Sequence, residues 1–412
     1  MYLCIDLKSF YASCECSMRG LDPFKVNLVV ADKSRGNGTI TLAVTPHMKK
    51  LGVKSRCRLF EIDENIDYII AKPRMRKYME ISSYIYSIYL NYFAEEDMHV
   101  YSVDEVFIDL DPYLNMYNKT PMEIAHMIMD DVYEKTNICS TVGIGTNLYL
   151  AKIAMDIFSK HSNNNIGYLD EELFKKYLWK HRPLTDFWGI GRGIAERLNN
   201  LGIFDMEDIS KCDENSLYKE FGINARLLID HSLGIETTTM KDIKNYKPKS
   251  KSLSSSQILF RDYNYNQARV VLKEMIDDLM GEVTKRDVYV IGIYLSIGYS
   301  KDVIKAKSYS KKIDGTVSYK ELLKNYMEIY NKYINKIIPI RRISISFMIS
   351  DSINRQLDMF NEIDIDKDKN LNREVESMKN RYGNNTILRA ISLEECANQM
   401  DRNRLVGGHN AN

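Results

Sequence analysis

The chain has 412 residues, 44% of them hydrophobic and 27% charged, with a formal net charge of +1. That length predicts roughly two to four domains with real cores, and the composition excludes a largely disordered protein. No apolar run is long enough to span a bilayer. The seven cysteines include no CxxC pair, so reduced thiols in a cytosol are expected, not a disulfide framework or a zinc knuckle. The opening MYLCIDLKSFYAS lacks the basic flank and apolar core of a signal peptide, which fits the same cytosolic expectation.

In chain order, residues 2–5 read as a short apolar strand ending at Asp6, and 9–18 as a short helix. Strands are predicted at 28–31 and 39–44, on either side of a Ser34-Arg35-Gly36-Asn37-Gly38 turn. Alternation puts Ile40 and Leu42 on one face of the second strand and Thr39, Thr41 and Ala43 on the other; which face meets a ligand is open at this point. A long helix spans about 74–93, and strands at 100–103 and 106–110 are close enough to form a hairpin. A helix at 121–135 begins with Pro121, where the missing N–H costs little. A strand at 138–144 and a helix at 147–158 follow. Residues 166–239 read as helical with glycine turns, and 241–251, KDIKNYKPKSK, as a basic linker. Beyond it the order is βαββαβ: strands at 253–260, 288–297, 304–310 and 339–349, and helices at about 268–283 and 319–333. The last 60 or so residues are polar and mixed in charge.

Charge is unevenly distributed. Residues 241–350 hold 21 Lys and Arg against 11 Asp and Glu, a net of +10, while the rest holds 36 against 45, a net of −9. Such asymmetry points to a polyanionic partner for the basic part or to a solvated lysine-rich surface. The strand around Lys305 and Lys307 would point both lysines the same way. Asp6 at the end of the first strand, with Asp104 and Glu105 at the bend of the predicted hairpin, would place three carboxylates at one sheet edge. Mutual repulsion would then demand a hard divalent cation, Mg²⁺ or Mn²⁺. Asp–Glu pairs in turns are otherwise ordinary solvated residues.

The flanking residues decide between these readings. Asp6-Leu7-Lys8-Ser9-Phe10-Tyr11-Ala12-Ser13-Cys14-Glu15 resembles the first motif of the Y-family translesion DNA polymerases, most closely their UmuC-like bacterial branch. Tyr101-Ser102-Val103-Asp104-Glu105-Val106-Phe107-Ile108-Asp109 resembles their second acidic motif. Gly143-Ile144-Gly145-Thr146-Asn147, with Leu150-Ala151-Lys152-Ile153-Ala154-Met155-Asp156, resembles the third. The resemblance implies an α+β right-hand polymerase. Its ferredoxin-like palm would comprise 1–18 and 65–165, its small fingers 19–64, and its helical helix–hairpin–helix thumb 166–240. A linker at 241–251 would lead to a βαββαβ little finger at 252–350 and a tail at 351–412.

It further implies an error-prone DNA-directed DNA polymerase for translesion synthesis, in which a primer 3′-hydroxyl attacks the α-phosphate of a dNTP. Asp6, Asp104, Glu105 and the carbonyl of Leu7 would hold two Mg²⁺ ions. Phe10 and Tyr11 would contact the nucleotide, with Tyr11 as the steric gate against a ribose 2′-OH, and Lys152 and Lys49 would meet the triphosphate. Lys152 could instead pair with Asp156 as an ordinary i,i+4 ion pair. Many relatives have Asp or Asn where Lys8 stands and Tyr where Pro46 stands, so triphosphate contacts at Thr45-Pro46-His47 must differ. Phe187-Trp188-Gly189-Ile190-Gly191 resembles the thumb hairpin, with Gly189 and Gly191 letting amides approach a DNA phosphate. Lys305 and Lys307 would grip DNA from the little finger. Gln356-Leu357-Asp358-Met359-Phe360 resembles a QLxxF sliding-clamp peptide, with Gln356, Leu357 and Phe360 as anchors. A monomer working on primer–template DNA is expected. Two alternatives stand beside this reading, a nucleotide cyclase with a similar palm and a non-catalytic DNA- and clamp-binding accessory protein.

Overall fold

The computed structural model describes all residues except 160, 161, 163, 249, 250, 301–303 and 353–364. The chain divides into Met1–Tyr246 with His409–Asn412, and Lys247–Gly408, so the division falls at the basic linker. Gln356, Leu357 and Phe360, the expected clamp anchors, lie outside the described residues. No helix among the described residues is long and apolar enough to cross a membrane.

The first unit begins with β1 (Tyr2–Leu7), α1 (Phe10–Ser17), β2 (Leu28–Val30), β3 (Ala43–Val44), α2 (Pro46–Lys50), β4 (Ile69–Ala71) and α3 (Met75–Tyr89). It continues with β5 (Met98–Val100), β6 (Glu105–Asp109), α4 (Asp111–Tyr117), α5 (Pro121–Thr136), β7 (Ser140–Gly145), α6 (Leu148–Ile153) and β8 (Ile166–Leu169). Five strands form one sheet in the order β5-β6-β1-β7-β8. β1 lies between two antiparallel neighbours, and alternate residues Leu3, Ile5 and Leu7 are buried. β8 corrects one expectation. Residues 166–169, read as part of a helical region, instead add a strand parallel to β7, because Ile166 and Leu169 are buried where β7 is buried throughout. β1 also runs two residues further than expected, so Asp6 is inside a strand.

The opposite face of the sheet carries glycines where a helix comes close. A Cβ on Gly143 would lie 2.0 Å from the Ala151 carbonyl oxygen, and one on Gly145 would lie 2.1 Å from the Ala151 nitrogen. Only glycine lets α6 rest on β7 in this way. Asn147 caps that helix, its side chain accepting from the Leu150 N–H at 2.9 Å, and the helix continues as a wider π turn over Ala154–Phe158. Gly143→Ala is therefore expected to destabilise the first unit by about 3 kcal/mol, since backbone and not a flexible side chain must give way. A denaturant midpoint equal to wild type would refute this packing.

A small sheet, β3-β2-β4, has β2 and β4 parallel. Only Ala43–Val44 of the expected 39–44 strand belongs to it, and Ile40 makes a lone bridge to Arg58. Thr41 and Ala43 face inward and Ile40 is exposed. Helices α7 (Glu171–Leu178), α8 (Arg192–Asn200), α9 (Met206–Lys211), α10 (Glu214–Phe221), α11 (Ala225–Ser232) and α12 (Met240–Asn245) follow. Their core includes Phe174, Phe187, Leu198, Met206 and Leu217, joined to Tyr149 and Leu150 of α6. His409–Asn412 return to this unit: the Arg76 N–H of α3 donates to the Ala411 carbonyl at 3.0 Å, and Asn410 Nδ2 donates to the Pro73 carbonyl at 3.2 Å.

The second unit contains β9 (Ser252–Tyr263), α13 (Tyr265–Arg286), β10 (Tyr289–Tyr299), β11 (Lys307–Thr316), α14 (Tyr319–Tyr333) and β12 (Ile340–Ser350). The sheet order is β11-β10-β12-β9, all neighbours antiparallel. Each β–α–β pair is thus parallel and split by one strand, as the element order predicted. Inward residues such as Leu295, Ile345 and Phe347 pack on α13 and α14. The final segment is more ordered than its polarity suggested. α15 (Ile365–Tyr382) lies along α13, with Lys285 3.1 Å from Glu376 and Lys369 3.0 Å from Asp287. The buried Glu274 of α13 accepts from the backbone N–H groups of Asn398 and Gln399 at 2.9 and 3.2 Å.

Candidate active site

Asp6 stands directly opposite Glu105 in the β1–β6 pairing and opposite Thr141 in β7. Directly opposed residues project from the same face, so Asp6 and Glu105 are neighbours. Asp104 ends the bend before β6, and its carbonyl accepts from the Leu7 N–H at 3.0 Å. The three expected carboxylates therefore share one sheet end. Their side chains do not close on a common point: among the described residues no three His, Cys, Asp or Glu side chains form a ready metal cage. Asp104 Oδ1 accepts from Ser102 Oγ at 2.7 Å. Glu105 Oε1 lies 3.0 Å from Lys152 Nζ, while Glu105 Oε2 is buried with no hydrogen-bond partner among the described residues. An unsatisfied buried carboxylate oxygen beside two further carboxylates fits a hard divalent cation.

Lys152 is 5% exposed and also lies 3.1 Å from Asp156. The i,i+4 pairing with Asp156 is present, but Lys152 is an interior bridge between the two carboxylates and not a surface pair. Burial opposes its charge, yet its pKa is raised overall by its neighbours. Complete burial pushes the adjacent Cys4 thiol well above its usual range. Cys4 thus stays neutral, and the charges that hold the ammonium are Asp156 and Glu105.

Tyr11 is half-buried on α1, and Phe10 behind it is buried. Burial first, and then the Asp104 charge, push the Tyr11 phenol upward. The ring stacks on Tyr78 at 4.9 Å. Tyr78 in turn donates to Glu15 Oε1 at 2.7 Å, and Glu15, fully buried, takes a bidentate pair from Arg74 at 3.0 and 2.6 Å and a further contact from Arg19. Four donors satisfy one interior carboxylate, so the platform behind Tyr11 is rigid. Sequence reading missed this support and Ser102. The motif letters carry no partner information across 59 or 63 residues.

Lys49 is exposed on α2. Lys50 is the residue of that helix whose charge reaches Lys8, where burial chiefly lowers the pKa, and Arg56 is the cation whose field reaches Tyr11. Gly189 has φ 91° and Gly191 caps α8, and a Cβ at either would touch nothing within 4 Å. In the second unit, Lys305 precedes β11. Lys307 pairs with the inward-facing Ile297, on the same side as Tyr309, which stacks on Tyr333 of α14 at 4.5 Å. Register thus turns Lys307 toward the helix side of the sheet. The open face carries Lys312, Arg342, Tyr294 and a hydroxyl array in which Ser254 bonds Ser346 at 2.9 Å and Ser256 bonds Ser344 at 2.7 Å.

Near the α6–α11 contact, His231 stacks on Tyr149 at 3.8 Å and lies 3.0 Å from Glu236 Oε2. The His231 hydrogen bond lowers the Glu236 pKa from 4.5 to about 2 despite partial burial. A depressed acid contributes stability above its unfolded pKa, and that stability is lost as pH falls from about 4.5 toward 2. Glu236→Gln is expected to remove up to about 3 kcal/mol of this pH-dependent loss, read from unfolding midpoints between pH 6 and 2. Identical pH profiles for both proteins would refute it.

A model of the impB/mucB/samB family matches residues 5–156. Over 412 aligned residues the chain is 32% identical to the UV-damage repair protein UvrX of Bacillus subtilis (strain 168), a designation itself provisional, covering 99% of this chain and 97% of that protein. The chain belongs to the Y family of DNA polymerases. This Y-family chain is also 29% identical to DNA polymerase IV 2 of the same organism, over 98% of its own length and 97% of that protein. A solved chimeric Y-family DNA polymerase shares its fold, with a TM-score of 0.64 and 23% identity, over 86% of this chain and 99% of the other. The architecture is the right-hand polymerase one, and the enzyme class is DNA-directed DNA polymerase.

Proposed function

We propose that this Y-family polymerase carries out error-prone translesion synthesis, joining a dNTP to a primer 3′-hydroxyl at the site formed by Asp6, Asp104 and Glu105. The observation that carries the reading is the pairing of Asp6 with Glu105, with Lys152 3.0 Å behind Glu105. Asp6, Asp104, Glu105 and the carbonyl of Leu7 would hold two Mg²⁺ ions, with Mn²⁺ as a substitute. When bound, such ions make the hydroxyl more acidic and neutralise charge on the leaving pyrophosphate. Lys152 is the cation poised to move from Glu105 toward the triphosphate. Tyr11, braced by Tyr78, closes the space beside the sugar. Lys49, with Lys50 and Arg56, supplies positive charge from the fingers. Gly189 and Gly191 offer amides to a primer phosphate, and the basic little finger follows the DNA backbone with Lys312 and Arg342 on its open sheet face and Lys305 and Lys307 at the start of its edge strand. A cytoplasmic, nucleoid-associated monomer is part of the same reading. Primer extension with Mg²⁺ tests it; DNA binding without extension would instead favour a non-catalytic accessory protein.

The peptide Gln356-Leu357-Asp358-Met359-Phe360 is proposed to tether the enzyme to a sliding clamp. A few apolar anchors carry most of the affinity of such a peptide, and tethering raises local concentration without altering chemistry. Changing Gln356, Leu357 and Phe360 together to Ala is expected to weaken clamp binding by about a hundredfold and to abolish clamp-stimulated synthesis. Distributive extension on bare primer–template should stay near wild type. Undiminished clamp affinity would remove the assignment.

A further inference from the structure

The bend that carries the carboxylates is also tied to the helical region. The N–H groups of Tyr101 and Ser102 both donate to the Glu105 carbonyl, at 3.0 and 3.2 Å, so Tyr101, Asp104 and Glu105 belong to one closed bend. Trp188 Nε1 donates to Tyr101 Oη at 3.1 Å, and the two rings meet edge to face, 5.9 Å apart at 83°. Phe107, on the same sheet face as Glu105, lies 6.1 Å from the indole. Lys152 Nζ lies 5.9 Å from the Tyr101 ring centre. Behind the indole, His231 lies nearly parallel to it at 6.5 Å and rests in turn on Tyr149 of α6.

Trp188 immediately precedes Gly189, the positive-φ residue of the loop that opens α8. The indole is therefore fixed on one side by the carboxylate bend and on the other by a ring carried on α11. An edge-to-face pair with a hydrogen bond has one favoured geometry, so loop and bend cannot shift independently without breaking it. We propose that Tyr101 and Trp188 are positioning residues that hold the 189–191 loop, and with it the primer strand, in register with Asp104 and Glu105. The proposal rests on the polymerase reading of the site. It deepens that reading by assigning the link between primer grip and chemistry to one side-chain pair. Misplacement of reacting groups by an ångström can cost about a hundredfold in rate, so loss of this link appears in the chemical step and not in DNA affinity.

The test is single-turnover incorporation of one dNTP at saturating primer–template, with primer–template affinity and melting temperature measured in parallel. Tyr101→Phe removes the hydroxyl and Trp188→Phe removes the indole N–H, while both keep a ring. Each is expected to slow the maximal rate about fivefold, and the double variant no more than about either alone, because both break the same bond. Trp188→Leu should slow it about thirtyfold. Primer–template affinity of the two Phe variants should match wild type. Wild-type rates in both Phe variants, additive slowing in the double, or weakened DNA binding in place of slower chemistry would each overturn the proposal. Glu105→Ala separates the two levels. If that variant extends normally, the reading of the site fails; if it is inactive while the Phe variants match wild type, only the present proposal fails.

Discussion

Replacing Asp104 or Glu105 with Ala is expected to lower nucleotide incorporation on the order of a thousandfold or more, with primer–template affinity within about threefold of wild type. The size of the loss follows from where the charges sit. Glu105 faces Asp6 across β1 and β6, and one of its oxygens is buried with no hydrogen-bond partner among the described residues. A cation held there depends on that oxygen, since Ser102 already occupies one oxygen of Asp104. Removing Glu105 also leaves Lys152 paired only with Asp156 among the two carboxylates that flank it. The triphosphate would then meet a lysine whose position has changed. DNA affinity is a different quantity with a different source. The excess of positive charge lies at residues 241–350, and non-specific grip on a phosphate backbone scales with such charge. Primer extension with Mg²⁺ and anisotropy of labelled primer–template measure the two separately. Normal extension by either variant would move the metal site elsewhere.

Tyr11→Ala is expected to raise ribonucleotide use relative to deoxynucleotide use by about ten- to a hundredfold. Forcing an extra group into a filled space typically costs about 1–3 kcal/mol, and that range corresponds to such a change in rate. The ring is an effective barrier only if it cannot yield. Its support is the Tyr78 stack, fixed by the Glu15, Arg74 and Arg19 cluster. Four contacts on a fully buried carboxylate leave that platform little freedom. The measurement is the ratio of ribo- to deoxynucleotide incorporation in wild type and variant under matched conditions. A ratio that does not change would return Tyr11 to the role of a core aromatic.

The long periodic elements are legible in the amino-acid order. The helix at Tyr319–Tyr333 and the βαββαβ order of the second unit follow from apolar spacing alone. Short elements are not. Residues 166–169 offer four positions, too few for a period, and they form a strand because the edge of β7 is available for pairing. The expected strand at 39–44 shrinks to Ala43–Val44 because its earlier residues bond to a loop, Thr41 N–H to the Cys57 carbonyl at 2.8 Å and Leu59 N–H to the Thr39 carbonyl at 3.0 Å.

The sequence by itself determined the chemical inventory of this protein: three carboxylates and a lysine in ordered motifs, an aromatic within the first motif, glycines in the third, and a basic region after a linker. Those are properties of residue type and order, and they do not depend on packing. Only the tertiary structure decided which groups meet. It placed Lys152 against Glu105, because glycines at 143 and 145 let α6 rest on the sheet. It set Tyr78 and Glu15 behind Tyr11, and joined Trp188 to Tyr101 across 87 residues. It turned Lys307 toward the helix side of its sheet, because strand parity is fixed by the Tyr309–Tyr333 stack and by the Lys311–Glu328 pair at 2.6 Å. The physical reason is common to all four. Periodicity tells which face of an element is apolar, but which residue lies opposite is set by register and by close packing between elements far apart in the chain.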